Sequence, residues 1–305
     1  MIRSRGTAVA TALLCAALAT AGCGLGPGAD VGAVELRVTR DYGAVPMLER
    51  SVEANESDTV MRVLEGSAEI STRYGGGYVQ SIEGVEEAQR GGRPSDWFFF
   101  VDGVESPVGA ADYELEGGER IWWDYRDWVT TNHVPAVVGS WPAPFVAGYE
   151  GRRRPVVVEC RGGGVACALA REALEGAGVA VAGGSTAGAI RLLVGPWERL
   201  RSDPAAALIE AGPEESGVFA DFERRRGGWV LSGLDQTGAA VGDFGPAAGL
   251  VAATRRYEAP PTWVVTGATP VAVRAAAGLL SAAKLRDHYA VASEDGKETP
   301  LPVSR

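Results

Sequence analysis

Lysine is nearly missing from this chain: Lys284 and Lys297 are the only two, and almost all positive charge is arginine. With alanine, glycine and valine abundant, that bias reads as GC-rich codon usage rather than as a binding signature. Acidic residues leave a formal net charge of −10 and a pI near 4.9, which argues against nucleic acid as a partner. Histidine is equally scarce, with His133 and His288 alone. A Ser-His-acid site needs a histidine near a serine on a nucleophile elbow. The nearest approach, Gly184-Ser185-Thr186-Ala187-Gly188, misses the G-x-S-x-G spacing. His288 beside Asp287 reads as a surface residue at a helix end. Zinc would need clustered histidine, cysteine or carboxylate ligands, so no metal is expected. A calcium site from Asp124 and Asp127 is conceivable, but an exposed acidic turn is the commoner use of such a pair. Gly162-Gly163-Gly164 sits between an apolar strand and a helix, yet Cys167 occupies the third glycine position of G-x-G-x-x-G, and no ribose-binding acid follows. The chain is therefore read as a non-enzyme with no catalytic residues and no cofactor of its own.

Cysteine is also sparse, and its four positions sort themselves. Residues 1–22 have the form of a signal peptide: Arg3 and Arg5 precede a short apolar run that contains Cys15. That run is too short for a comfortable membrane span, and no later segment approaches about 18 apolar residues. Thr20-Ala21-Gly22-Cys23 resembles a bacterial lipobox, with Thr20 departing from its usual aliphatic residue. Cys23 is then the lipidated N-terminus and residues 23–30 a tether, an ordinary signal peptide being the alternative. The expected location is extracytoplasmic, at the outer face of the cell membrane, with the membrane itself a partner through the anchor. Cys160 and Cys167 remain, and in an oxidising compartment an even pair is expected to form a disulfide; two buried free thiols are the alternative. Their spacing is not C-x-x-C, which argues against redox catalysis.

The mature length suits two compact units. Val34, Leu36 and Val38 alternate with Glu35 and Arg37 as in a half-buried strand. Residues 48–52 offer a second strand, and Asp58-Thr59 caps a short helix with Val60, Val63 and Leu64 on its apolar face. Strands follow at 78–82 and 97–101, the latter ending in the hairpin pair Asp102-Gly103, and again at 121–125. Prolines and glycines mark a connector over 130–154, packed down by Trp141 and Phe145. Over 155–293 apolar strands alternate with helices at 166–177, 204–210 and 270–285, the pattern of an α/β layer with a mostly apolar sheet. Residues 294–305 read as a polar tail.

Aromatic residues are the strongest signal. Trp97, Phe98, Phe99, Phe100, Trp122, Trp123, Tyr125 and Trp128 fall within a short stretch. On a strand, Trp97, Phe99 and Val101 share one face and Phe98 and Phe100 the other; Trp122 and Asp124 likewise oppose Trp123 and Tyr125. A sheet with two aromatic faces needs a cover on each. Either the second unit supplies it, or a ligand or partner does.

The ordered motifs of the first unit resemble a known family, the transcobalamin C-terminal-like β-grasp domain of bacterial surface lipoproteins. The residues that carry this resemblance are Val60-Met61-Arg62-Val63-Leu64, Gly77-Tyr78-Val79-Gln80-Ser81-Ile82, Asp96-Trp97-Phe98-Phe99-Phe100-Val101-Asp102-Gly103 and Gly117-Gly118-Glu119-Arg120-Ile121-Trp122-Trp123. It covers about residues 31–129. It implies a β-grasp fold and makes a corrinoid a candidate ligand, since eukaryotic relatives use this domain to help cap one against an α-barrel. No α-barrel occurs here, and fold analogy alone does not carry a ligand across. The fold class expected is α+β: a β-grasp-like unit over 31–129, then an α/β unit over 155–293.

Two functions follow as expectations. One is a lipoprotein that captures a small, partly apolar ligand between the units, handing it to a membrane transporter component. Trp97, Phe99, Trp122, Tyr125 and Trp128 are its candidate walls, with Asp124 and Arg126 as polar partners. The other is an interaction module that docks a protein or wall polymer through the same aromatics.

Overall fold

A computed structural model describes residues 28–304 apart from 87, 91–92, 163 and 185–186. The segment read as a signal peptide, Cys23, Gly163 and the Ser185-Thr186 pair lie outside the described residues. The chain folds as a mixture of helices and several sheets. Among the described residues no helix is long and apolar enough to cross a membrane.

The first unit opens with β1 (Asp30–Arg40) and β2 (Val45–Asn55), an antiparallel pair. Then come α1 (Val60–Ser67), the small sheet β3 (Ile70–Arg73), β4 (Tyr78–Ile82) and β5 (Val85–Glu86), and the strands β6 (Ala88–Arg90), β7 (Arg93–Val101), β8 (Val104–Glu105) and β9 (Arg120–Asp127). The main sheet runs β2-β1-β9-β7-β6, with β8 beside β7. Its central pair, β1 and β9, is parallel, while β7 runs antiparallel to β9. Thr59 caps α1 through its side chain, as expected, and Val60, Met61, Val63 and Leu64 are buried. They pack with Val34, Leu36, Trp97, Ile121, Trp123 and Tyr125 into one core on one face of the sheet.

The connector is mostly core. Val134, Val137, Val138, Trp141 and Phe145 are buried, the last in the short helix α2 (Ala143–Val146). Trp141 and Phe145 both meet Trp263, with ring centroids 5.4 and 5.1 Å away.

The second unit contains β10 (Val156–Cys160), α3 (Gly164–Gly176), β11 (Ile190–Val194), α4 (Trp197–Leu200), α5 (Pro213–Ser216) and the antiparallel trio β12 (Ala220–Arg225), β13 (Gly228–Leu234) and β14 (Ala240–Asp243). It closes with β15 (Gly249–Thr254), β16 (Thr262–Gly267), α6 (Pro270–Ala277), α7 (Ala282–Leu285), β17 (Ala290–Glu294) and β18 (Lys297–Leu301). Its sheet order is β10-β11-β16-β15-β17-β18. The first three strands are parallel and the rest antiparallel. Both faces of β15 and β16 are covered, which accounts for their continuous apolar sequence.

Local readings differ from the structure at three places. The helix expected over 270–285 breaks after Ala277, and its second turn restarts after Ser281. Residues 204–210 hold only a 3₁₀ turn, Ala206–Ile209, without a side-chain cap; Asp203 accepts from the Ala205 amide just before it at 3.0 Å. The segment read as a polar tail carries β18, an edge strand whose outward side chains are polar because water covers them.

Candidate functional site

The alternation along β7 and β9 is as expected, but its consequence is burial. Trp97 and Tyr125 meet at 5.2 Å and Phe99 stacks on Trp123 at 4.9 Å, all on the α1 face. Phe100 and Trp122 point to the opposite face, where they meet Tyr289 of the second unit at 5.7 and 5.5 Å. Phe100, Trp122, Tyr42, Phe219, Leu250 and Tyr289 belong to one core cluster that spans both units. The second unit is therefore the cover. The seven candidate residues cannot line one pocket: Trp97, Phe99 and Tyr125 face one way, Trp122, Asp124 and Arg126 the other, and Trp128 stands beyond the strand end, 40 % exposed. Of these, Tyr125 and Arg126 reach the cavity described below.

Asp124 serves the seam rather than a ligand or a calcium ion. It is fully buried, and its carboxylate accepts from Thr39 Oγ1 (2.5 Å), the Gly43 amide (3.0 Å) and Tyr289 Oη (2.9 Å). Burial pushes its carboxyl above the usual range, against the lowering effect of these bonds. Among the described residues no three His, Cys, Asp or Glu side chains gather where they could hold a metal ion.

Two clefts flank the seam. The smaller, of about 130 Å³, is lined by Arg37, Arg120, Arg286, Glu35, Glu49 and Asp287. Its charges are mutually matched: Arg37 meets Asp287 at 2.6 Å, Arg120 meets Glu35 at 2.9 Å, and Arg286 pairs with Glu49. Arg37–Asp287 and Arg286–Glu49 clamp the two units together, while Arg120–Glu35 ties β9 to β1 within the first.

The larger cleft opens where β9 ends. A cavity of about 340 Å³ is lined by Asp41, Tyr42, Arg93, Gln236, Thr237 and Val303 among others. A small recess of about 60 Å³ adjoins it, sharing Asp41, Tyr42, Arg93 and Gln236 and adding Ser95, Tyr125, Arg126 and Asp127. Five separate chain segments build this place, the end of β9 among them. The turn after β1 puts both Asp41 and Tyr42 at φ +59°, a left-handed pair of ordinary residues of the kind that costs energy and persists at functional positions. Arg93, at the start of β7, donates to Asp127 Oδ1 (2.8 Å) and to the Gln236 carbonyl (3.3 Å). The turn after β13 is shaped by Asp235 Oδ1, which accepts from the Thr237 amide and hydroxyl at 2.8 and 2.6 Å. The chain end is seated by the Val303 amide, which donates to the Leu234 carbonyl at 2.8 Å.

Arg126 lines the recess. It is 1 % exposed, and its Cζ lies 3.8 Å from the Phe98 ring centroid. Its guanidinium donates to the backbone carbonyls of Asp127 (3.2 Å), Thr131 (2.7 Å) and Asn132 (3.3 Å). Asp41, Tyr42, Arg93, Gln236, Thr237 and Val303 were not singled out from the sequence. No spacing joins them, and only the turn residues Asp235 and Gly238 carry a local signal.

Elsewhere, Cys160 and Cys167 form the expected disulfide, which ties the end of β10 to α3. His133 is exposed beside Glu105, with Nδ1 and Oε2 3.3 Å apart.

Comparison with known proteins adds a family segment. A family described as a domain of unknown function, DUF4430, matches residues 57–127, which run from the start of α1 to the end of β9. No curated protein matches. Among solved structures, one from Ruminococcus gnavus, described as a "putative metal binding protein", aligns at 13 % identity and a TM-score of 0.24. That alignment covers 32 % of this chain and 97 % of the other, a likeness too slight to inform the site.

Proposed function

We infer that this protein is an extracytoplasmic, lipid-anchored binding protein that holds a small ligand in the larger cleft between its units, in support of a membrane transporter. The observation that carries the reading is the cleft itself. Its volume of about 340 Å³ lies in the range of about 300–1,000 Å³ usual for ligand sites, and such sites favour the junction of two units. The shared aromatic core beneath it keeps its walls in fixed relation. The disulfide supports an oxidising compartment, in keeping with the lipobox at Cys23. The parallel central pair β1 and β9 with α1 packed on one face supports the β-grasp reading of the first unit. The corrinoid implied by the transcobalamin-like resemblance loses its expected aromatic wall, because that wall is buried. The polar lining suits a smaller and more polar molecule.

The test is a thermal-shift panel on the full chain carrying Cys23→Ser. It would include amino acids, short peptides, dicarboxylates, sugars and cobinamide. At least one member is expected to raise Tm in a saturable way, and Thr237→Trp, which fills the cleft, is expected to abolish the effect. A panel without any shift, or a shift that survives Thr237→Trp, contradicts the reading.

A further inference from the structure

We propose that Asp102 and Glu119 form a buried carboxyl pair that holds one proton between them and latches the loop over residues 103–118. The two residues close the neck of that loop. Asp102 follows β7: its amide donates to the Arg120 carbonyl at 2.9 Å, and its Oδ1 accepts from the Arg120 amide at 3.0 Å. Glu119 immediately precedes Arg120, and its Oε1 accepts from the Glu116 amide at 2.5 Å. Both acids are buried, with 4 and 5 % exposure. The Oε2 of Glu119 is buried with no hydrogen-bond partner among the described residues, although buried polar atoms are nearly always paired.

The charged groups around the pair do not supply the missing donor. Arg120 is the cation that acts on Asp102, but its guanidinium is turned to Glu35 at 2.9 Å and to the Ser140 and Trp141 carbonyls at 3.3 and 2.6 Å. Glu35 and Glu119 both oppose a charge on Asp102. Tyr113 feels Asp102, Glu119, Glu116 and Glu150 together, and Glu150 is paired with Arg255 at 2.7 Å. Neighbouring buried carboxylates resist joint ionisation. A proton on Asp102 removes one charge and provides the donor that Glu119 Oε2 lacks. Burial and the Glu119 charge push the Asp102 carboxyl the same way, up to about 7.

The loop so latched bridges two parts of the molecule. Its Ala110 and Tyr113 carbonyls accept from the Met61 and Val60 amides at the start of α1, at 2.9 and 3.1 Å. Its Gly103 carbonyl accepts from the Val137 amide at 2.8 Å, and Val137 belongs to the core shared by both units. Opening the neck returns Asp102 to water and to its ordinary value of 3.8. The latch is therefore firmest below that value. It weakens as pH rises towards about 7, its opening constant growing by at most about tenfold per pH unit, and then levels off.

The test is carboxyl ¹³C NMR of the full Cys23→Ser chain from pH 4 to pH 8, joined to amide hydrogen exchange of residues 103–118 corrected for the intrinsic rate at each pH. Glu119→Gln is expected to lower the Asp102 midpoint by about one unit or more, since a neighbouring charge becomes an amide donor. The opening constant of the loop is expected to rise about tenfold or more from pH 5 to pH 7. In Asp102→Asn it is expected to stay level, because the asparagine amide stands in for the proton at every pH. An Asp102 midpoint unmoved by Glu119→Gln assigns the shift to burial alone and overturns the pair. A loop equally closed at pH 5 and pH 7, or an Asp102→Asn chain that keeps the parent's pH dependence, overturns the latch. Circular dichroism checks folding, and if Glu119→Gln does not fold, exchange in the parent and in Asp102→Asn decides.

Discussion

The hydroxyl of Tyr289 donates to the carboxylate of Asp124 across 2.9 Å, and both residues are buried where the two units meet. That contact joins the strand β17 region to the central strand of the first sheet, 165 residues away in sequence. Around it, Tyr42, Phe100 and Trp122 surround the Tyr289 ring. Asp124→Ala leaves the Gly43 amide and the Tyr289 hydroxyl without this acceptor and Thr39 with only the Trp123 carbonyl at 3.5 Å. It is expected to cost about 3 kcal/mol, whereas Tyr289→Phe is expected to cost about 1 kcal/mol. Urea unfolding checks both; an alanine variant as stable as the parent would show that the seam does not depend on this carboxylate.

Gly43 is the close-approach point of the same seam. Its φ is +82°, and a Cβ there would collide with the Asp287 carbonyl and press on the Trp122 ring. Gly43→Ala is therefore expected to destabilise by about 2 kcal/mol or more, from strain and collision together. Gly75→Ala is the comparison, since φ is also positive there (+73°) but nothing lies within 4 Å. Thermal unfolding of the pair separates the two causes, and equal losses would remove the collision from the explanation.

Asp102 provides a pH dependence. Burial is the largest influence on it and pushes its carboxyl up to about 7, against the lowering effect of the Arg120 amide that it accepts from. Between its unfolded value of 3.8 and about 7, the folded chain holds a proton that the unfolded chain releases. Its contribution to stability is thus complete below the unfolded value and is lost as pH rises through the folded one. Asp102→Asn keeps an acceptor for the Arg120 amide without the charge, so it is expected to flatten this part of the stability profile. Denaturation midpoints at intervals from pH 4 to pH 8 measure it, and parallel profiles for parent and variant would contradict the assignment.

The disulfide closes a short loop, seven residues apart in sequence. Replacing both cysteines with serine is expected to cost about 2 kcal/mol, chiefly by freeing the unfolded chain. Unfolding with and without reductant gives the same difference if Cys160 and Cys167 are bridged; a chain indifferent to reductant would contradict it.

Much of the scaffold was legible from local pattern. The alternation at Val34, Leu36 and Val38, the Thr59 cap and the division of Phe98 and Phe100 from Trp97 and Phe99 all reflect neighbours along one strand or helix. The pairing of Cys160 with Cys167 followed from counting and compartment. The use of the aromatic faces was not legible, because a buried aromatic sheet and a ligand-binding one have the same period. Only the placement of Tyr289 and Phe219 against Trp122 and Tyr42 decides between them. The cleft was less legible still. Asp41, Arg93, Gln236 and Val303 lie on four distant segments, each polar enough to pass for an ordinary surface turn. Arg126 was picked out as a polar partner for a ligand, but its buried environment depends on Phe98 and on the carbonyls of residues 127, 131 and 132. Edge strand β18 escaped because only pairing with β17 makes so polar a segment extended.

The most direct measurement of ligand capture in the larger cleft is amide NMR of the ¹⁵N-labelled Cys23→Ser chain, titrated with the ligand that most raises Tm. Saturable shifts concentrated at Asp41, Tyr42, Arg93, Gln236, Thr237 and Val303 are the expected result. Shifts concentrated instead at a distant surface such as Tyr74 and Tyr78, or no saturable shifts, would contradict ligand capture between the units.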